Sequence, residues 1–262
     1  MQSESVFSVI ESVADPCLAE EWDQSGVQVA STRKRIHRLA VTLDPTPSAL
    51  QRALQWGADC ILAHHPLTLQ PTLPSRLDDY HHCLRLLLGS DVWLYSAHTS
   101  LDVRTRGPAS WLAQSLGLEE VTPVVKSEHS GVGFGIMGNF PSPLPWSRVR
   151  SELARATGLS QWCQTGTAPQ QVRVLAYCPG SGMSLASAAF QQGAQVFISG
   201  DLKYHAAQEL EGLGLTLDVG HFILEERMMQ AWTEELRSSL ETQGVSVDFF
   251  PGHNPIAYAV NP

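Results

Sequence analysis

The chain is poor in several features that would mark broad protein classes. It has no CxxC pair: its five cysteines, Cys17, Cys60, Cys83, Cys163 and Cys178, are odd in number and scattered. That argues against a disulfide framework and fits a reducing cytoplasm. Positive charge is scarce, with 17 Lys and Arg against 26 Asp and Glu, a formal net charge of −9. A general grip on a nucleic-acid backbone needs a basic face and is not expected, which leaves open a nucleotide held in a local pocket. No apolar run approaches the roughly 20 residues of a membrane span. The first residues, Met1 to Pro16, set Val6, Val9, Ile10 and Val13 along one side of an amphipathic helix. They lack a basic segment leading into an apolar core, so no signal peptide is expected.

What is present is enough apolar residue, 43% of 262, to build one large core or two modest ones. Short apolar segments at 38–43, 60–63 and 92–97 read as strands buried on both faces, with helices at 47–56, 80–88 and 108–116. The later half repeats the theme. Strands are expected at 172–178, 196–199 and 215–219, helices at 185–192 and 205–210, and the longest helix at 224–240. Such alternation predicts an α/β fold with largely parallel strands. The glycine-rich, then proline-rich stretch 130–145 reads as a connection between two lobes, 1–129 and 130–262, the C-terminal segment being free to pack back on the first.

The lobes look like copies of one unit. RLAVTLDPTPSALQRALQWGADCILAHH, ending at His65, and RVLAYCPGSGMSLASAAFQQGAQVFISGD, ending at Asp201, share the order strand, loop, helix, Gly-Ala, strand, polar end. Further on, His98-Thr-Ser-Leu-Asp102 parallels His221-Phe-Ile-Leu-Glu225. Duplication is the economical reading. Open α/β sheets hold ligands at such strand ends, so two packed lobes would face them across one cleft.

Those ends carry the chemistry. His64 and His65 follow an apolar strand, where burying two imidazoles without partners is costly. Adjacent side chains diverge in extended backbone, so the pair suits two metal ions better than one. Asp102 and Glu225 add carboxylates that neutralise and bridge cations, and His221 with Glu225 at i,i+4 share one helix face. For Asp102 a helix-capping role is the rival reading. His98 stands where His221 stands in the other copy; it is read as a group that orients a ligand or transfers a proton, with direct ligation the rival reading. His81-His82, beside Asp78 and Asp79, reads as a solvated first helical turn.

Five blocks in order then resemble a known family: 21-EWDQSGVQ-28, 57-GADCILAHHP-66, 95-YSAHTSLD-102, 200-GDLKYH-205 and 218-DVGHFILE-225. They are similar to the YbgI-like dinuclear metal-centre proteins, relatives of the Nif-three protein that are often labelled GTP cyclohydrolase 1 type 2. The resemblance covers almost the whole chain. It implies metal ligands at His64, His65, Asp102, His221 and Glu225, two divalent ions (zinc, iron, manganese or nickel), two similar lobes, and a toroidal homohexamer with the sites facing an internal cavity. Gln24 departs from the family's asparagine, which bears on how the Asp23 loop is bonded. The implied activity is hydrolysis of the GTP imidazole ring, with C8 lost as formate. Lys203 would then meet a phosphate, His98 or His205 would move protons, and the Cys178-Pro-Gly-Ser-Gly182 loop would offer backbone N–H groups to phosphate. A nucleotide phosphatase or phosphodiesterase, a metal-delivery protein and a regulatory protein are the alternative readings.

Overall fold

The computed structural model describes residues 1–128 and 131–257. Two sheets organise them. The first runs β1 (Gly26–Val29), β4 (Trp93–Ser96), β3 (Cys60–Ala63), β2 (Arg38–Thr42), β11 (Ser246–Phe249), all parallel except β1. The second runs β5 (Glu119–Lys126), β6 (Gly133–Pro145), β8 (Gln171–Tyr177), β9 (Val196–Ser199), β10 (Leu215–Asp218), β7 (Cys163–Thr165). Here β8, β9 and β10 are parallel, and the other pairings antiparallel. Each sheet thus contains three sequence-ordered parallel strands with an antiparallel edge beside the third, β2-β3-β4-β1 and β8-β9-β10-β7. These are the two similar lobes of the repeat.

Helices fill the space around and between the sheets. Against the outer face of the first lie α2 (Pro47–Trp56) and α3 (Asp79–Ser90), through Leu50, Ala53, Cys83 and Leu87. On the outer face of the second lies α7 (Ala186–Gln191), through Ala186 and Ala189. Between the sheets a single core joins α1 (Ser3–Val13), α5 (Trp111–Leu116), α6 (Trp146–Thr157) and α9 (His221–Leu240) to inward residues of both, among them Leu39, Leu62, Tyr95, Leu175, Ile198 and Leu217. Every residue of β3 and of β9 is buried, as strands covered on both faces require. Local signals fix the helix ends: Thr46 caps α2 with Pro47 behind it, and Asp78 caps α3 by accepting from the His81 N–H.

The stretch expected as a connection is instead β6, paired with β5 on one side and β8 on the other. Its glycines reflect close packing, since a Cβ at Gly133 would overlap the Val125 carbonyl of β5. The helix expected over 108–116 is a 3₁₀ turn, Pro108–Ser110, running into α5. The long helix starts earlier than expected, at His221.

Candidate metal centre

The chain turns out of β3 into His64 and His65, whose backbone N–H groups both donate to the Leu43 carbonyl at 3.1 Å. His64 is fully buried, and its Nδ1 lies 2.8 Å from the Ala97 carbonyl. A carbonyl only accepts, so Nδ1 carries the proton and Nε2 is left with a lone pair. The other imidazoles follow the same plan with carboxylates. His65 Nδ1 donates to Asp44 Oδ1 at 2.6 Å, His98 Nδ1 to Asp23 Oδ1 at 2.8 Å and His221 Nδ1 to Asp201 Oδ2 at 2.8 Å. Oriented histidines with a tied Nδ1 and a free Nε2 are what a metal site needs.

The free nitrogens face two carboxylates. His221 opens α9, and one helical turn on Glu225 sets Oε2 2.9 Å from His221 Nε2 and 3.2 Å from His65 Nε2. Glu225 Oε1 lies 3.6 Å, and Asp102 Oδ1 3.7 Å, from His64 Nε2. Asp102 ends the short helix α4 (Thr99–Asp102) and caps nothing. Close as they are, His64 Nε2, His221 Nε2, Asp102 Oδ1 and Glu225 Oε2 are buried without an aligned hydrogen-bond partner. Electron-rich atoms facing one another in a buried space are repulsive unless protons or cations lie between them. Ligand atoms of His64, His65 and His98 lie within 4.8 Å of one another, as do those of His65, His221 and Glu225. The donor set therefore has the chemistry of a metal site, with His65 shared by the two groups.

The electrostatics of the cluster express the same need for positive charge. Burial opposes protonation of His64, but Asp102 and Glu225 outweigh it and raise its pKa. At His65 burial is likewise overcome, by Asp44 and Glu225, and the pKa rises to about 10. The contact with Glu225 lifts His221 to about 9, against burial and with help from Asp201. Glu225 is buried, yet its three imidazole neighbours hold it well below the carboxylate range, whereas burial pushes Asp102 up despite His64.

Sequence reasoning did not single out Asp44 or Asp201 as partners of the histidines, although Asp201 is the residue that the repeat sets opposite His65. Asp201 is held in left-handed backbone, at φ 62°. Asp23 is buried and accepts from Gln24 N, Ser25 Oγ, Thr99 N and Thr99 Oγ1 besides His98. Burial works against its charge, and these donors still hold its pKa far below normal. Only the Gln24 backbone takes part, so a glutamine side chain there leaves the Asp23 bonds intact. The Cys178-Pro-Gly-Ser-Gly182 loop packs on the centre itself: a Cβ at Gly180, where φ is +65°, would overlap Glu225 Oε1. Its Gly182 N–H is taken by Ser199 Oγ. Lys203 and His205 are not brought to the cluster. Both are exposed at the start of α8 (Tyr204–Leu210), with His205 Nδ1 3.3 Å from Gln208 Oε1 and Lys203 lining a hollow on the other side of Asp201. A cleft of about 610 Å³ opens beside His65 and His221.

Fold and centre together define a two-lobed α/β protein whose strand ends gather a histidine–carboxylate cluster. Residues 1–255 match the model of the Duf34/NIF3 (NGG1p interacting factor 3) family, and the chain belongs to that family. A relative from Nostoc sp. named GTP cyclohydrolase 1 type 2 homolog is 32% identical over 205 residues, 77% of this chain and 78% of its own. Another of that name, from Methanocaldococcus jannaschii, is 30% identical over 252 residues, 95% of this chain and all of its own. Among solved structures, a Bacillus cereus protein related to NIF3 superposes with a TM-score of 0.87 at 18% identity over 99% of each chain. The protein ybgI does so with 0.83 at 23% identity, covering 98% of this chain and all of its own. At those identities the likeness is one of fold. No helix among the described residues is long and apolar enough to cross a membrane.

Proposed function

We propose that His64, His65, Asp102, His221 and Glu225 hold two divalent metal ions, and that the centre hydrolyses a small substrate bound in the adjoining cleft, with GTP or a related nucleotide the first candidate. The observation that carries this reading is the set of buried, partnerless Nε2 and carboxylate oxygen atoms, each imidazole tied at its other nitrogen. Zinc, iron, manganese and nickel all suit mixed imidazole–carboxylate ligation. Bound there, such a pair would supply Lewis acidity and lower the pKa of a coordinated water towards ~7. The chain's own contribution is orientation and proton handling. Asp44 and Asp201 fix the rings of His65 and His221, and Gly180 keeps the loop clear of Glu225. His98, held at Nδ1 by Asp23, has its Nε2 beside His64 and His65, in position to take or return a proton. The relatives' name, GTP cyclohydrolase 1 type 2 homolog, supports the choice of GTP. A homohexamer with the centres facing an internal cavity belongs to the same proposal.

The test is to incubate metal-reconstituted protein with GTP, analyse products by mass spectrometry, and count bound metal in wild type, His65→Ala and Glu225→Ala. Formate and a ring-opened product from wild type alone, with at least one ion lost from each variant, is the expected result. Release of inorganic phosphate would move the protein to the phosphatase class. Unchanged two-ion stoichiometry in both variants would sink the metal assignment.

A further inference from the structure

The cleft beside the centre is built for a different part of a substrate than a triphosphate. Its lining combines apolar side chains, Leu159, Phe222 and Ile223 among them, with three carboxylates, Asp44, Asp201 and Asp218. No lysine or arginine is among the described residues that line it. Asp218 accepts from the Leu202 and Gly220 N–H groups and forms no ion pair among the described residues. Around the centre, Asp23, Asp44, Asp102, Asp201, Asp218 and Glu225 carry more negative charge than two divalent ions would carry positive. In a cleft with low-dielectric walls such an excess is focused on whatever enters, and like charge there opposes binding. Lys203, the phosphate partner expected from sequence, lines a separate hollow that shares Asp201 with the cleft and also holds Glu209.

We infer that the cleft takes an uncharged or cationic ring system, a nucleobase or nucleoside rather than its polyphosphate, with the ring stacked on Phe222 and its polar edge turned to the carboxylates that line the cleft. A flat ring suits such a lining: its face buries apolar area while ring N–H groups at its edge meet carboxylates. The inference rests on the proposed reading of the cluster as the reacting centre. It narrows that reading, because any phosphate tail would have to point out of the cleft.

Calorimetric titration of the metal-reconstituted protein with guanosine and with GTP at low and high salt tests it, with metal content measured again after each titration to separate chelation from binding. Guanosine is expected to bind at least tenfold more tightly than GTP. Its affinity should be indifferent to salt, while that of GTP improves as salt screens the repulsion. GTP binding more tightly than guanosine and weakening with salt would overturn the inference. Loss of that preference in Lys203→Ala would then place the tail on Lys203. Binding of neither compound, with both ions retained, would also overturn it and leave the metal assignment standing. Failure of the protein to retain metal would refute the parent reading instead.

Discussion

Asp44 and Asp201 take no place in the proposed ligand set, yet they decide which nitrogen of His65 and of His221 is free. Removing such a carboxylate typically costs about 10–100-fold in metal affinity. Asp44→Asn, which can no longer accept an N–H as an anion, is expected to weaken binding by that factor at the ion held by His65, as read by competition with a chelating dye. Unaltered affinity would mean that the 2.6 Å contact is incidental. The same residues give the metal-free chain a distinct pH profile. With folded pKa values of about 10 for His65 and about 9 for His221, both above the ordinary 6.5, their ion pairs with Glu225, Asp44 and Asp201 stabilise the chain fully below pH ~6.5. That stability is lost as pH rises through the folded values. Metal-free protein should therefore fall in Tm between pH 8 and 10 more than metal-bound protein does, since cations replace the protons. Parallel Tm profiles in differential scanning would contradict the account.

At the level of elements, the centre depends on one loop fitting between β8 and the start of α9. Gly180 has positive φ and no room for a Cβ beside Glu225. Gly180→Ala should cost about 1–3 kcal/mol in backbone strain and also displace the carboxylate. Tm and metal stoichiometry should then fall together, and a drop in Tm alone would show that the loop does not position Glu225. The parallel strands were legible in sequence because β2, β3, β9 and β10 are short, apolar runs buried on both faces. The repeat was legible because glycine and polar residues recur at the same strand ends. The edge strands β1, β7 and β11 were not. They have four residues or fewer, and half-exposed faces leave them no apolar signature. β6 was misread because glycine and proline usually break strands, whereas here the glycines admit β5 closely. In the site, the histidines and carboxylates that the structure gathers could be seen in the sequence. The pairing of His65 with Asp44 and of His98 with Asp23 depends on strands from distant parts of the chain and could not.

For the molecule as a whole, two leucines close in sequence stand open to solvent among the described residues. On the segment between β3 and α3, Leu73 and Leu77 are 86% and 92% exposed, beside a hollow of about 450 Å³ lined by Leu67, Tyr80 and Leu73 itself. Exposed leucines grouped this way are unusual on a free monomer. The proposed homohexamer predicts a light-scattering mass near six times 28.6 kDa at micromolar protein, and smaller species for Leu73→Ser with Leu77→Ser. A monomeric wild-type mass would refute the assembly. Within one chain, α9 and β11 carry a different consequence. The first sheet receives its last strand from residues 246–249, and His64, made early, meets Glu225 only when α9 has been made. During synthesis the first lobe must therefore leave the ribosome with an open strand edge on β2 and an incomplete histidine cluster. The nascent chain has no closed histidine–carboxylate cluster until α9 has emerged and packed on the first lobe, so any ligand of the centre meets a finished site only after the second lobe is made.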